Sequence, residues 1–188
     1  MTSDVKDFES FFLLEERKKM NPKKYRIGYT CGVFDLFHVG HLNLLERCKE
    51  MCDILIVGVC DDDYIRNIKK KEPVFSQEER IRILNALDVV SGAYLVDIET
   101  TNDKMLALNK FHFDVLFSGD DWKGSERYNK TEKDFAEVGV SIEYLPYTKG
   151  ISTSQIKTKL ESPIKPVGGG YNCIVINSTF DECSEAAA

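Results

Sequence analysis

The chain has 188 residues, 43% hydrophobic and 30% charged, which fits one folded domain with a sizeable core and excludes a chain dominated by disorder. With 25 Lys and Arg against 31 Asp and Glu, the net charge of -6 excludes a polyanion bound across the whole surface, so no nucleic-acid partner is expected and any anion must be met locally. There is no run of about 18 apolar residues, and the start lacks the basic-then-apolar layout of a secretion signal; no membrane span and a cytoplasmic address are expected.

In chain order, Phe8, Phe11, Phe12 and Leu14 recur at helical intervals among charged residues, so residues 5–20 read as an amphipathic helix ended by Asn21 and Pro22. Apolar runs then alternate with helical patterns. A strand over 25–31, a helix over 40–51 and a strand over 54–60 make one βαβ unit. A helix over 77–87, a strand over 93–96 and a helix over 103–110 follow. Strand, helix, strand and helix then read over 115–118, 129–138, 142–145 and 153–160.

Five short apolar strands with intervening helices predict a single α/β domain over 25–160, a Rossmann-like doubly wound parallel sheet covered on both faces. Its site should lie at the carboxyl ends of the strands. Residues 1–24 read as an N-terminal helical extension. Residues 161–188 read as a tail, with the pattern of an added edge strand over 171–177.

Six cysteines, Cys31, Cys48, Cys52, Cys60, Cys173 and Cys183, contain no Cys-x-x-Cys pair, and four lie in apolar or helical stretches. Buried, reduced thiols are expected. Cys48 and Cys52 are one helical turn apart, but no second ligand pair has a matching spacing for zinc.

The segment Tyr29-Thr-Cys-Gly-Val-Phe-Asp-Leu-Phe-His-Val-Gly-His leads from the first strand into the first helix. Gly32 permits a tight exit from the strand, and Gly40 lets the backbone approach a ligand closely. His38 and His41, three apart, share a face of the opening helical turn. Free amides and the dipole at a helix start attract anions, and two imidazoles there add donors, which makes a phosphate cradle. Asp35 can orient a histidine or help hold Mg²⁺ with triphosphate oxygens.

Ser152, Thr153 and Ser154 offer hydroxyls and amides at another helix start, a second anion site suited to the outer phosphates of a triphosphate. Lys69, Lys70 and Lys71 follow the second strand on the ligand side. On their own these residues also allow plainer roles: a metal half-site for the histidines, an N-cap for Ser152, a solvated face for the lysines, a turn for Asp35 and core for Trp122.

Together the motifs resemble a known family. Gly32-Val-Phe-Asp-Leu-Phe-His-Val-Gly-His resembles the cytidylyltransferase signature with its His-x-Gly-His element, and Gly150-Ile-Ser-Thr-Ser-Gln-Ile resembles the second signature, Ile-Ser-Thr-[Ser/Thr]-x-Ile. Ser118-Gly-Asp-Asp-Trp-Lys-Gly is similar to the Gly-Asp-Asp-Trp segment of glycerol-3-phosphate cytidylyltransferases. The resemblance spans residues 25–160.

It implies an enzyme that transfers CMP from CTP to a small phosphorylated alcohol and releases pyrophosphate. Glycerol 3-phosphate leads as the acceptor, with phosphocholine, phosphoethanolamine or a sugar-alcohol phosphate as alternatives. The implied catalytic residues are His38, His41, Lys69 and Lys71. The implied nucleotide-binding residues are Thr30, Gly32, Val33, Phe34, Asp35, Gly40, Arg80, Gly119, Asp121, Ile151, Ser152, Thr153 and Ser154. Asp121 would accept from the cytosine amino group. Mg²⁺ is the implied cofactor, with Asp35 as its candidate ligand, and a homodimer the implied assembly.

The sequence departs from the glycerol-3-phosphate type at Asp88 to Ser91, where a basic residue is usual, and at Tyr147, where arginine is frequent. Residues 91–105 also hold no tryptophan to match that acceptor pocket. Two rivals therefore stay open: an adenylyltransferase, since His-x-Gly-His is shared with ATP-using enzymes, and a non-catalytic nucleotide-binding scaffold.

Overall fold

The structure, a computed structural model, describes residues 23–161. The helix expected over 5–20, the edge strand over 171–177, Cys173 and Cys183 lie outside the described residues.

Five strands form one parallel sheet in the order β3-β2-β1-β4-β5, with β1 at Tyr25–Gly32, β2 at Cys52–Cys60, β3 at Gly92–Val96, β4 at Val115–Gly119 and β5 at Ser141–Leu145. The period-2 rule divides their side chains between the faces. Leu55, Val57, Val59, Val115 and Phe117 enter one cluster with Leu45 and Leu84, while Tyr29 and Leu116 enter the other with Ala107, Phe113, Tyr128 and Phe135. The sheet is thus buried on both faces, as the apolar runs require.

The helices are α1 Val39–Met51, α2 Asp62–Asn67, α3 Gln77–Asn85, α4 Ile98–Asn102, α5 Lys104–Phe111, α6 Glu126–Val138 and α7 Thr153–Glu161, with a 3₁₀ turn at Asp120–Trp122. Side-chain caps set their starts. Asp61, Asp97, Asp103 and Ser125 accept from amides two or three residues on, and Ser76 with Glu79 closes a reciprocal capping box. Gly139, at φ 75, ends α6 in the left-handed conformation that favours glycine.

Within the described residues the expected elements are all present, with shifted ends: α6 begins three residues before the expected 129 because Ser125 caps it, and β2 begins at Cys52 rather than 54. The sequence pattern does not announce α2 and α4, six and five residues long, because so short a helix shows no repeat. Strand order reverses between β1 and β4, so the crevice at their carboxyl ends is where a ligand fits.

Candidate active site

At those strand ends lies a cavity of about 490 Å³. It is lined by every residue proposed above from sequence except two, Arg80 and Asp121. The motifs 30–41, 69–71 and 151–154, together with Gly119, therefore converge on one space.

The loop after β1 is held in an unusual shape, with Phe34 at φ 56 and Leu36 at φ 47. Non-glycine residues seldom take positive φ, and they persist only where the surroundings fix them. Asp35 does the fixing. Its Oδ1 accepts from the amides of Leu36, Val74 and Phe75, its Oδ2 accepts from Val74, and Lys157 Nζ stands 3.3 Å from Oδ2. The Thr153 hydroxyl donates to the Asp35 carbonyl at 3.0 Å. Burial acts to raise the Asp35 carboxyl, but the amides of Phe75 and Val74 and the Lys157 charge outweigh it and hold the group below its ordinary range.

Those contacts bear on the metal expectation. The Asp35 carboxylate is already saturated by protein donors and does not fit a metal ligand, and no group of three His, Cys, Asp or Glu able to hold an ion occurs among the described residues.

His38 is the N-cap of α1, and its Nδ1 accepts from the Gly40 amide at 3.1 Å. That bond assigns the neutral-ring proton to Nε2, leaving Nε2–H as a donor. His41 stacks on His38, with centroids 3.8 Å apart and 17° between planes. Burial, then the neighbouring His38, push His41 down to about 4, and burial lowers His38 as well. Both rings are therefore uncharged near neutral pH. His41 Nδ1 is buried without a partner among the described residues, and a phosphate oxygen of a bound ligand is a partner it can take.

Across the cleft, Ser152 Oγ accepts from the Gln155 amide as the cap of α7, and the Thr153 hydroxyl is engaged with Asp35. Of this hydroxyl run, Ser154 is the exposed member that makes no side-chain hydrogen bond in the described residues. Lys69 and Lys71 are exposed at the rim, and Lys69 Nζ lies 6.0 Å from the Tyr64 ring centroid.

Arg80 is fully buried behind the site. Its guanidinium donates to the carbonyls of Phe75, Val33 and Cys60 and pairs with Asp62 at 2.5 Å. It therefore holds the ends of β1 and β2 in place and does not touch the cleft. Asp121 is exposed in the 3₁₀ turn, beside Tyr147 and over Gly119: a Cβ on Gly119 would meet Asp121 Oδ1 at 2.6 Å and Tyr147 Cε2 at 2.7 Å.

A cytidylyltransferase-like family description matches residues 29–159. The chain belongs to the cytidylyltransferase-like family. This family member is 40% identical to the glycerol-3-phosphate cytidylyltransferase of Bacillus spizizenii over 134 residues, 71% of this chain and 95% of that protein. It is 35% identical to the glycerol-3-phosphate cytidylyltransferase of Staphylococcus aureus over 131 residues, 70% and 92% of the two chains. Among solved structures it is similar to the lipopolysaccharide core biosynthesis protein from Thermoplasma volcanium, with TM-score 0.55, 27% identity, and 68% and 99% of the two chains covered. The chain is thus a nucleotidyltransferase, and no helix in its described residues is long and apolar enough to cross a membrane.

Several cleft residues of this cytidylyltransferase-like chain carry no sequence signal. Cys31, Cys60, Thr101, Lys104, Arg127 and Lys157 all line the cavity. They arrive from six different elements, β1, β2, α4, α5, α6 and α7, and only the packing of those helices at the sheet's carboxyl edge brings them together. Cys31 and Cys60, on adjacent strands, place their sulfurs 3.9 Å apart. Cys48 is buried against Cys52, and burial pushes its thiol well up, which disfavours the thiolate a metal would need.

Proposed function

We propose that this cytidylyltransferase transfers CMP from CTP to a small phosphorylated alcohol, with glycerol 3-phosphate the leading acceptor, and releases pyrophosphate. The observation that carries the reading is the stacked, uncharged His38–His41 pair at the start of α1, facing the hydroxyl-rich start of α7 across one cleft. The similarity to glycerol-3-phosphate cytidylyltransferases over nearly their whole length supports both the nucleotide and the acceptor.

In this reading an oxygen of the acceptor phosphate attacks the α-phosphorus. The new P–O bond forms as the bond to the β-phosphate oxygen breaks, and pyrophosphate leaves. The attacking oxygen is already anionic, so no strong general base is required and catalysis is positioning plus charge stabilisation. His38 Nε2–H and the His41 ring donate to oxygens on the reacting phosphorus, where uncharged, preorganised donors cost no reorganisation. Lys69 and Lys71 reach in from the rim to the charge that builds on the leaving group. Ser154 and the α7 amides hold that group.

Mg²⁺ enters this reading as a companion of the triphosphate rather than of Asp35, supplying charge neutralisation at phosphate oxygens when bound. A homodimer and a cytoplasmic address complete it; sedimentation of the purified chain tests the first.

A matrix of four nucleoside triphosphates against phosphorylated alcohols, read as pyrophosphate release, tests the whole. CTP with glycerol 3-phosphate should give the highest kcat/KM. Turnover with phosphocholine and none with glycerol 3-phosphate removes the acceptor, while ATP surpassing CTP with every acceptor removes the cytidylyl reading.

A further inference from the structure

Two thiols meet on the floor of the cleft. Cys31 and Cys60 lie at the carboxyl ends of β1 and β2, and both line the cavity, with Cys31 half-buried and Cys60 2% exposed. Their sulfurs are 3.9 Å apart. In the strand register Cys31 is opposite Gly58, which has no side chain to stand between them.

The surroundings give the two sulfurs different characters. The Thr101 hydroxyl donates to Cys60 Sγ at 3.7 Å, and the Thr101 carbonyl accepts from Lys104 Nζ and Arg127 Nη2, which sets two cations beside the pair. The hydrogen bond with Cys60, and then the Lys104 charge, pull the Cys31 thiol below its ordinary range against the effect of burial. The hydrogen bond with Cys31, and then burial, hold Cys60 protonated. Cys31 is therefore the nucleophile, open to the cleft, and Cys60 is the thiol next to it that can resolve an oxidised Cys31.

Cys48 and Cys52 show the contrast. They belong to the core cluster on the opposite face of the sheet, Cys52 Sγ donates to the Cys48 carbonyl, and burial pushes both thiols up. Sulfurs so placed are inert.

We propose that Cys31 and Cys60 form a reversible disulfide that switches the enzyme off, closed by a hydroperoxide entering the cleft and reopened by a small thiol. The Cys31 thiolate attacks a hydroperoxide oxygen; an S–O bond forms, the O–O bond breaks, and the departing oxygen takes up a proton, leaving Cys31 as a sulfenic acid. The Cys60 sulfur, losing its proton, attacks that sulfur; the S–S bond forms, the S–O bond breaks and water leaves. The two thiols are oxidised together, and the hydroperoxide is reduced to its alcohol, or to water where it is hydrogen peroxide, with one further water released.

Bonding brings the sulfurs from 3.9 Å to about 2.0 Å, and the strand ends must follow. Gly32 comes after Cys31 and leads into the loop that carries His38, while the Cys60 carbonyl accepts from Arg80 Nη1 at 2.8 Å. A shift there displaces the groups that face the phosphates, so turnover falls; this consequence rests on the transfer reading above. The bridge joins residues two positions out of register, and the resulting strain makes it easily reduced.

The test treats the reduced full chain with hydrogen peroxide, alkylates and digests it, and maps the peptides by mass spectrometry, with turnover of CTP and glycerol 3-phosphate measured on the same samples. A peptide linked through Cys31 and Cys60 should appear as turnover falls about 10- to 100-fold, and dithiothreitol should reverse both. Cys31→Ser should keep its own untreated rate through the same exposure. In Cys60→Ser the oxidised Cys31 has no resolving thiol, so dimedone should trap it as a sulfenic acid, and longer exposure should carry it to a form that dithiothreitol does not restore. The absence of the linked peptide at a peroxide dose that inactivates wild type, a link that forms with no loss of turnover, or equal inactivation of Cys31→Ser overturns the switch. The link is read on wild type, so the result holds even if the serine variants fold poorly. If wild type turns over CTP with no acceptor, the transfer reading has failed, while the presence or absence of the linked peptide still decides the disulfide.

Discussion

His38 and His41 lie ring on ring, 3.8 Å between centroids, and both are held uncharged by burial. Stacked imidazoles so close cannot both carry protons without mutual repulsion, and the lower pKa falls on the more buried ring, His41. The sign for stability follows. The unfolded His41 binds a proton near its ordinary 6.5 and the folded one near about 4, so between these values the unfolded state holds more protons. Stability should be complete above pH 6.5 and decline as the pH falls towards 4. Thermal midpoints across that window check this, and His41→Asn should flatten the slope. The same variant should lower kcat about 100-fold or more; near-normal turnover would remove His41 from the mechanism.

Arg80 should matter through structure and not through the nucleotide. Arg80→Met leaves Asp62 only the longer contact with Arg66 and removes the guanidinium donors to three carbonyls, so the urea-unfolding free energy should drop by about 3–5 kcal/mol. The Val33 and Cys60 segments it ties down line the cleft, so kcat should also fall. A loss below about 1 kcal/mol, together with a large rise in the KM for CTP alone, would return Arg80 to direct nucleotide contact.

How much of this was legible follows from what each residue depends on. The βα alternation, His38, His41 and Ser152 announce themselves because local backbone rules fix them: a strand exit, a helix start, an N-cap. Arg80 and Asp121 carry the family pattern just as visibly, yet their placement is tertiary. One guanidinium turns inward to three carbonyls and one carboxylate turns outward beside Tyr147. Lys104 and Arg127 could not be paired in advance at all, because their meeting point, the Thr101 carbonyl, belongs to a five-residue helix too short to show a period.

Asp35→Asn separates a clasp from a metal ligand. The amide keeps one acceptor oxygen: with NH₂ at the Oδ1 position the Leu36 and Phe75 amides lose their acceptor, and with NH₂ at the Oδ2 position a donor faces the Val74 amide and the Lys157 ammonium. A destabilisation of about 1–3 kcal/mol is expected. The Mg²⁺ concentration giving half-maximal activity should not move, because Asp35 has no free lone pair to offer an ion. A shift of tenfold or more in that concentration would make Asp35 a metal ligand after all.

Gly119 and Gly40 offer paired probes of the two ends of the nucleotide site, because in each case a single methyl would strike a defined side chain. At Gly40 an added Cβ would lie 2.9 Å from His38 Cε1 and 3.1 Å from Ile151 Cγ2, forcing the imidazole off its stack. Gly40→Ala should therefore cut kcat by a factor approaching that of a histidine deletion, about 100-fold, with the fold intact, since Ala is favoured over Gly inside a helix. At Gly119 the methyl would meet Asp121 Oδ1 and Tyr147 Cε2. Tyr147 is 66% exposed and Asp121 is exposed, so both can swing away at little cost in stability, and the displaced groups stand at the cleft edge by β4. Gly119→Ala should accordingly raise the KM for CTP and leave kcat and the acceptor KM nearly unchanged. If Asp121 accepts from the cytosine amino group, the variant should also lose discrimination against UTP, because the carboxylate that UTP leaves unpaired is no longer held in position. Measuring kcat and both KM values for the two alanine variants, with UTP as the competing nucleotide, checks the pair. An acceptor KM that rises with Gly119→Ala while that for CTP stays constant would move the nucleotide base away from the 3₁₀ turn.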